Sequence, residues 1–149
     1  MQLVIDQLGQ SAERAPHMLL LPGLTNAEAW ARSGAVASWL IAQGFGPGAR
    51  SLSVPADGGI ERTLLLLGAL RAGALVVDGN GPAALAFVTE KGRLVTRHGI
   101  VLAALAQCSI DASVAERRLH IDANTPARQS GDRYRRHGDF ATVAQAVGD

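Results

Sequence analysis

Residues 88–99 read VTEKGRLVTRHG and bring Thr89, Lys91, Gly92, Thr96 and His98 close together along the chain. Hydroxyls, an ammonium and a glycine are the groups with which a loop grips phosphate: glycine lets backbone N–H groups approach the anion, and the cation neutralises it. Glu90 stands among them, and a carboxylate there repels a polyphosphate. What this stretch does therefore depends on the elements that hold it.

A second cluster, DRYRRHG at 132–138, offers Arg133, Arg135 and Arg136 around Tyr134, groups that bind phosphate and stack on rings. Asp132 and Asp139 flank it and dilute the charge, so a solvated loop is expected. An acidic partner or a phosphate-bearing small molecule is its first ligand class. His120 and Asp122, two apart in RLHIDA, have the spacing of an acid/base pair on one face of a strand. With no nucleophile beside them, they read as an exposed strand pair. His17, His98, His120 and His137 lack any metal-ligand spacing, and Cys108 does not complete a set, so no metal is expected. Cys108, in LAALAQCSI, reads as a small buried helix residue, and a single cysteine forms no internal disulfide.

The elements must come from 149 residues of which 48% are apolar and 18% charged, enough for one domain with a real core and too apolar for disorder. A formal net charge of +1 supplies no global attraction for nucleic acid or an anionic membrane, and neither is expected as a partner. No leader-like segment stands at the start, and apolar runs break well short of the ~18 residues a membrane span needs. A reducing, cytoplasmic setting is expected.

LVIDQLGQSAERAP has apolar residues at helical spacing and ends at Pro16; HMLLLPG is a short strand entering a turn. Thr25 stands three residues before Glu28, a capping box, and opens a helix whose stripe is Trp30, Gly34, Ala37 and Ile41. A Gly/Pro turn leads to a strand at 51–54; IERTLLLLGALRAGA is a helix stopping at Gly73; ALVVDGNG is a buried strand and turn. PAALAFVT and GRLVTR are strands around the opening stretch, and HGIVLAALAQCSI is a helix. Residues 112–137 are expected to be loop-rich, and 138–149 to close as a short helix with Asp139 near its start. Alternating helices and strands with short connections predict an α/β fold: a small, three-layer-like domain with a mostly parallel sheet flanked by helices.

From Pro16 to Val77 the chain shows APHMLLLPG, LTNAEAW, GFGPGARSLSV and LLLLGALRAGALVV in series. In that order and spacing it resembles the N-terminal subdomain of the adenylate-forming enzymes: acyl-CoA synthetases, acyl-AMP ligases and the adenylation domains of nonribosomal peptide synthetases. The resemblance extends to ALAFVTEKGRLVTRHG, where Thr89, Lys91 and Gly92 stand for the phosphate loop and Thr96 and His98 for the Thr-His that follows it. The body of that loop, a run of small residues wrapping ATP phosphates, is missing, and residues 90–93 read as a shortened hairpin turn. The further strands and helices that the family carries between Val77 and Pro82 are also absent. So are counterparts of the core that holds adenine and acyl group and of the lid with its lysine.

The resemblance thus implies a single truncated, degenerate domain, with 1–111 as family-like core. The expected role is a non-catalytic binding or protein-interaction module without catalytic residues or cofactor. A homo-oligomer, a larger synthetase or a carrier protein is the expected partner, because an uncovered sheet edge or face seeks one. The alternatives are an acyl-activating ligase using ATP and Mg with a partner chain, and a small nucleotide or CoA binder.

Overall fold

The helix expected at the start forms as α1 (Val4–Arg14), which buries Val4, Ile5 and Leu8 on one stripe. These features come from a computed structural model, which describes residues 2–79, 83–90, 93–96, 114, 116 and 120–148. β1 (Leu19–Leu21) and β2 (Leu24–Thr25) make a small antiparallel ribbon that delivers the chain to α2 (Asn26–Ala42). The capping box forms: Thr25 Oγ1 accepts from the Glu28 N–H at 3.1 Å, and the Glu28 carboxylate accepts from the Thr25 N–H at 3.3 Å. Then come β3 (Leu52–Val54), α3 (Gly59–Ala72) and β4 (Val76–Asp78). Gly73 ends α3 in the left-handed region at φ +77, where a Cβ would also lie 2.6 Å from Pro47 Cγ.

β5 (Leu85–Glu90), β6 (Arg93–Thr96), β7 (Pro126–Ser130) and β8 (Arg133–Arg136) complete a six-stranded sheet of order β6-β5-β3-β4-β7-β8. Its centre is parallel, β3 pairing with β4 and β5, and β4 with β7; the edge pairs β5–β6 and β7–β8 are antiparallel. This is the expected α/β fold with a mostly parallel sheet. Side chains alternate along a strand, and Leu52, Ser53 and Val54 are all buried, so β3 is covered on both faces. α2 lies against α1 and α3, and α4 (Val143–Val147) touches α1 and α3.

α2 approaches α3 closely because it presents Ser33, Gly34, Ala37 and Ser38 together with Val36. A Cβ on Gly68 of α3 would lie 2.2 Å from Val36 Cγ1, so glycine is required there for the helices to meet. Arg71, also on α3, is 4% exposed, and its guanidinium lies 3.7 Å from the Trp30 ring centroid. Its Nη1 donates to Trp30 O at 2.6 Å and Ser33 Oγ at 3.1 Å. Burial lowers the Arg71 pKa to about 10, and ring stacking offsets part of that cost.

Three expectations are corrected. The stretch 112–137, read as loop-rich, carries β7 and β8, and DRYRRHG contains a strand rather than a loop. Gly131, at φ +60, opens the two-residue turn that joins them, and Pro126 is tolerated as the first residue of its strand. His120 and Asp122 lie in a turn, where Asp122 Oδ1 accepts from the Asn124 N–H at 2.8 Å. The final helix is capped by Thr142, whose hydroxyl accepts from the Gln145 N–H, while Asp139 closes a 3-10 turn over His137–Asp139. The helix expected over HGIVLAALAQCSI, with Cys108, lies outside the described residues.

Candidate functional site

β3 and β5 are neighbours whose onward connections leave in opposite directions, β3 toward α3 and β4, β5 toward β6. The carboxyl ends of such strands are where an open α/β sheet receives ligands. The stretch first read as a phosphate loop belongs to this end. Thr89 lies in β5 opposite Leu94, and Thr96 lies in β6 opposite Phe87, so the two threonines are not cross-strand partners. Lys91, Gly92 and His98 lie outside the described residues. The ladder runs on to Glu90 opposite Arg93, so two residues join the strands.

The arginine cluster is divided by its strand. Arg133 and Arg135, two apart on β8, line one pocket of about 500 Å³ with Asp139, Phe140, Ala144 and Gln145. Arg136 and Tyr134 do not line it, and the Arg136 N–H donates to Asp139 Oδ2 at 2.7 Å. The wall of this pocket is held by residues that sequence reasoning passed over. Arg128, 2% exposed, bonds the Asp78 carboxylate through Nε at 3.1 Å and through Nη2; its Nη1 donates to Ala146 O at 3.2 Å and to Gly148 O. Arg62 Nη1 donates to Val147 O at 2.7 Å. Two guanidinium groups thus hold the carbonyl end of α4, where the helix dipole favours cations. Nothing local links them: Asp78 ends a predicted strand, Arg128 lies in the stretch expected to be loop-rich, and fifty residues separate the two.

His137 is 1% exposed, and neither ring nitrogen has a hydrogen-bond partner among the described residues. Burial pushes its pKa down to about 4, opposed by the Asp122 charge. A larger open groove of about 880 Å³ runs between α1 and α2, bordered by Asp6, Glu13 and Trp30. Among the described residues no group of three or more His, Cys, Asp or Glu could hold a metal, and no helix is long and apolar enough to cross a membrane.

Compared with known proteins, the chain matches no family model and no curated protein. Among solved structures it is similar to a fatty acyl-adenylate ligase from L. pneumophila, determined in complex with acyl adenylate and pyrophosphate. The likeness covers 55% of this chain and 16% of that one, at 24% identity and a TM-score of 0.44. This is a distant structural relation.

Proposed function

We propose that the chain is a non-catalytic binding or protein-interaction module on an α/β framework of the adenylate-forming type. The observation that carries this reading is the β5–β6 ladder, paired through Glu90 and Arg93. A loop that wraps a polyphosphate needs several consecutive backbone N–H groups free of other partners. Two connecting residues beside a carboxylate do not supply them. Thr89, Lys91, Gly92, Thr96 and His98 are on this reading what is left of a phosphate loop, with no catalytic role. Among the described residues β6 and β8 have one neighbour each, and on this reading those edges are where a partner strand would pair. A second copy, a larger synthetase or a carrier protein are the partners such edges would serve.

Pyrophosphate exchange into ATP, measured with a panel of carboxylic acids and Mg, is expected to show no turnover by the chain alone. Clear exchange would overturn the reading in favour of an acyl-activating ligase. Titration with ATP and Mg separates a third case. Saturable binding that persists when Arg133 and Arg135 are replaced would place a nucleotide elsewhere and revive the small nucleotide binder.

A further inference from the structure

The β8–α4 pocket has features of a ligand site. Residues two apart on a strand share a face, and Arg133 and Arg135 both border the cavity. Neither guanidinium has a carboxylate partner within ion-pair distance among the described residues, whereas Arg128 is fully engaged by Asp78 and α4 carbonyls. The Arg135 guanidinium lies 5.1 Å from the centroid of the buried Phe140 ring, which with Ala144 gives the cavity an apolar side. Gln145 Oε1 accepts from the Ala141 N–H at 2.7 Å, which leaves its amide nitrogen free to donate. Asp139 also borders the cavity, with one carboxylate oxygen committed to the Arg136 N–H.

The electrostatics agree with the geometry. The Arg135 pKa is lowered first by burial and then by the charge of Arg128; Asp78 raises it, Arg133 lowers it, and Asp139 raises it. Arg128 and Arg133 thus add positive charge beside Arg135 that Asp78 and Asp139 offset in part, and an anion would add to that offset. The α4 wall is also fixed in advance, because Arg62 and Arg128 anchor its end, whereas the more exposed Arg133 and Arg135 side chains are ordered on binding. At about 500 Å³ the site is an open groove, with room for a small molecule lying along its apolar side.

We propose that this pocket binds a small organic anion, its oxyanion held between Arg133 and Arg135 and its apolar part resting on Phe140 and Ala144. This goes beyond the module reading by naming a site and a ligand class, and it does not depend on the β5–β6 turn. Phenyl phosphate is a suitable probe, titrated into the full chain and followed by backbone amide shifts.

Saturable shifts are expected at 133–135 and 140–148, with tighter binding than for inorganic phosphate or phenol. R133Q/R135Q should weaken it about tenfold or more, since two charge-assisted contacts are lost. Ala144→Glu, at an exposed helix position, should abolish binding by repulsion while leaving both arginines in place. Shifts that do not saturate would overturn the proposal. So would phenyl phosphate binding no tighter than inorganic phosphate, or equal binding by folded R133Q/R135Q protein. Each of these results leaves the exchange assay, and so the reading of the β5–β6 turn, unaffected.

Discussion

The α2–α3 interface and the β7–β8–α4 unit are held by opposite means. In the first, small and branched apolar side chains interlock around Gly68, and the one buried charge, Arg71, lies on an aromatic ring. In the second, a five-residue helix too short to stand alone buries Ala146 in the core and is pinned through its carbonyl groups by Arg62 and Arg128. Apolar interlocking spreads stability over many contacts, whereas a polar anchor concentrates it in a few atoms. The two regions should therefore fail differently when single residues are changed.

The largest effect is expected from Arg128→Ala. It leaves Asp78 without its cation and frees the α4 carbonyls, a loss of about 4 kcal/mol for breaking one side of a buried pair. Urea unfolding measures it, and near-neutral stability would show that α4 docks by other contacts. Gly68→Ala tests the apolar side and should cost about 3 kcal/mol, because the added methyl meets Val36 and the Ala37 backbone. Adding Val36→Ala should recover part of that loss in thermal melts, since the nearest clashing atom, Cγ1, is then gone. Equal destabilisation by the single and double variants would mean that Cβ of residue 36, 2.6 Å from the added methyl, and the backbone of α2 set the limit rather than Cγ1.

The same contrast explains what could be read from sequence. The α2–α3 pair was legible because its signals are local: Thr25 and Glu28 three apart, an apolar stripe, and Gly73 just past the helix end. The parallel sheet followed from the alternation of elements. The C-terminal hairpin was missed because β7 and β8 are polar, with PARQS and RYRR showing no apolar alternation. Its real signal was the two-residue Gly131-Asp132 turn between them. The arginine cluster was found by composition, but only the strand's two-residue period shows that Arg133 and Arg135 share a pocket that Arg136 does not border. His137 carried no signal, since nothing local tells a buried histidine from an exposed one.

That histidine gives the smallest expected effect and a distinctive one, because pH changes it without altering the sequence. Its folded pKa of about 4 lies below the ordinary histidine value of about 6.5 that the unfolded chain retains. Between those values the unfolded state binds the proton and the folded state does not, so stability is complete above pH ~6.5 and falls as pH drops toward 4. At pH 5 the loss from this group is about 2 kcal/mol, at about 1.4 kcal/mol per pKa unit. Carboxylates also titrate in acid, so the test is a difference between two proteins. His137→Leu removes the proton site and, with both ring nitrogens unpartnered among the described residues, sacrifices no hydrogen bond seen there. The variant's unfolding free energy should change less than that of the parent between pH 7.5 and 5. Parallel curves would mean that the imidazole is protonated in the folded state, and that the C-terminal unit holds a counter-charge for it.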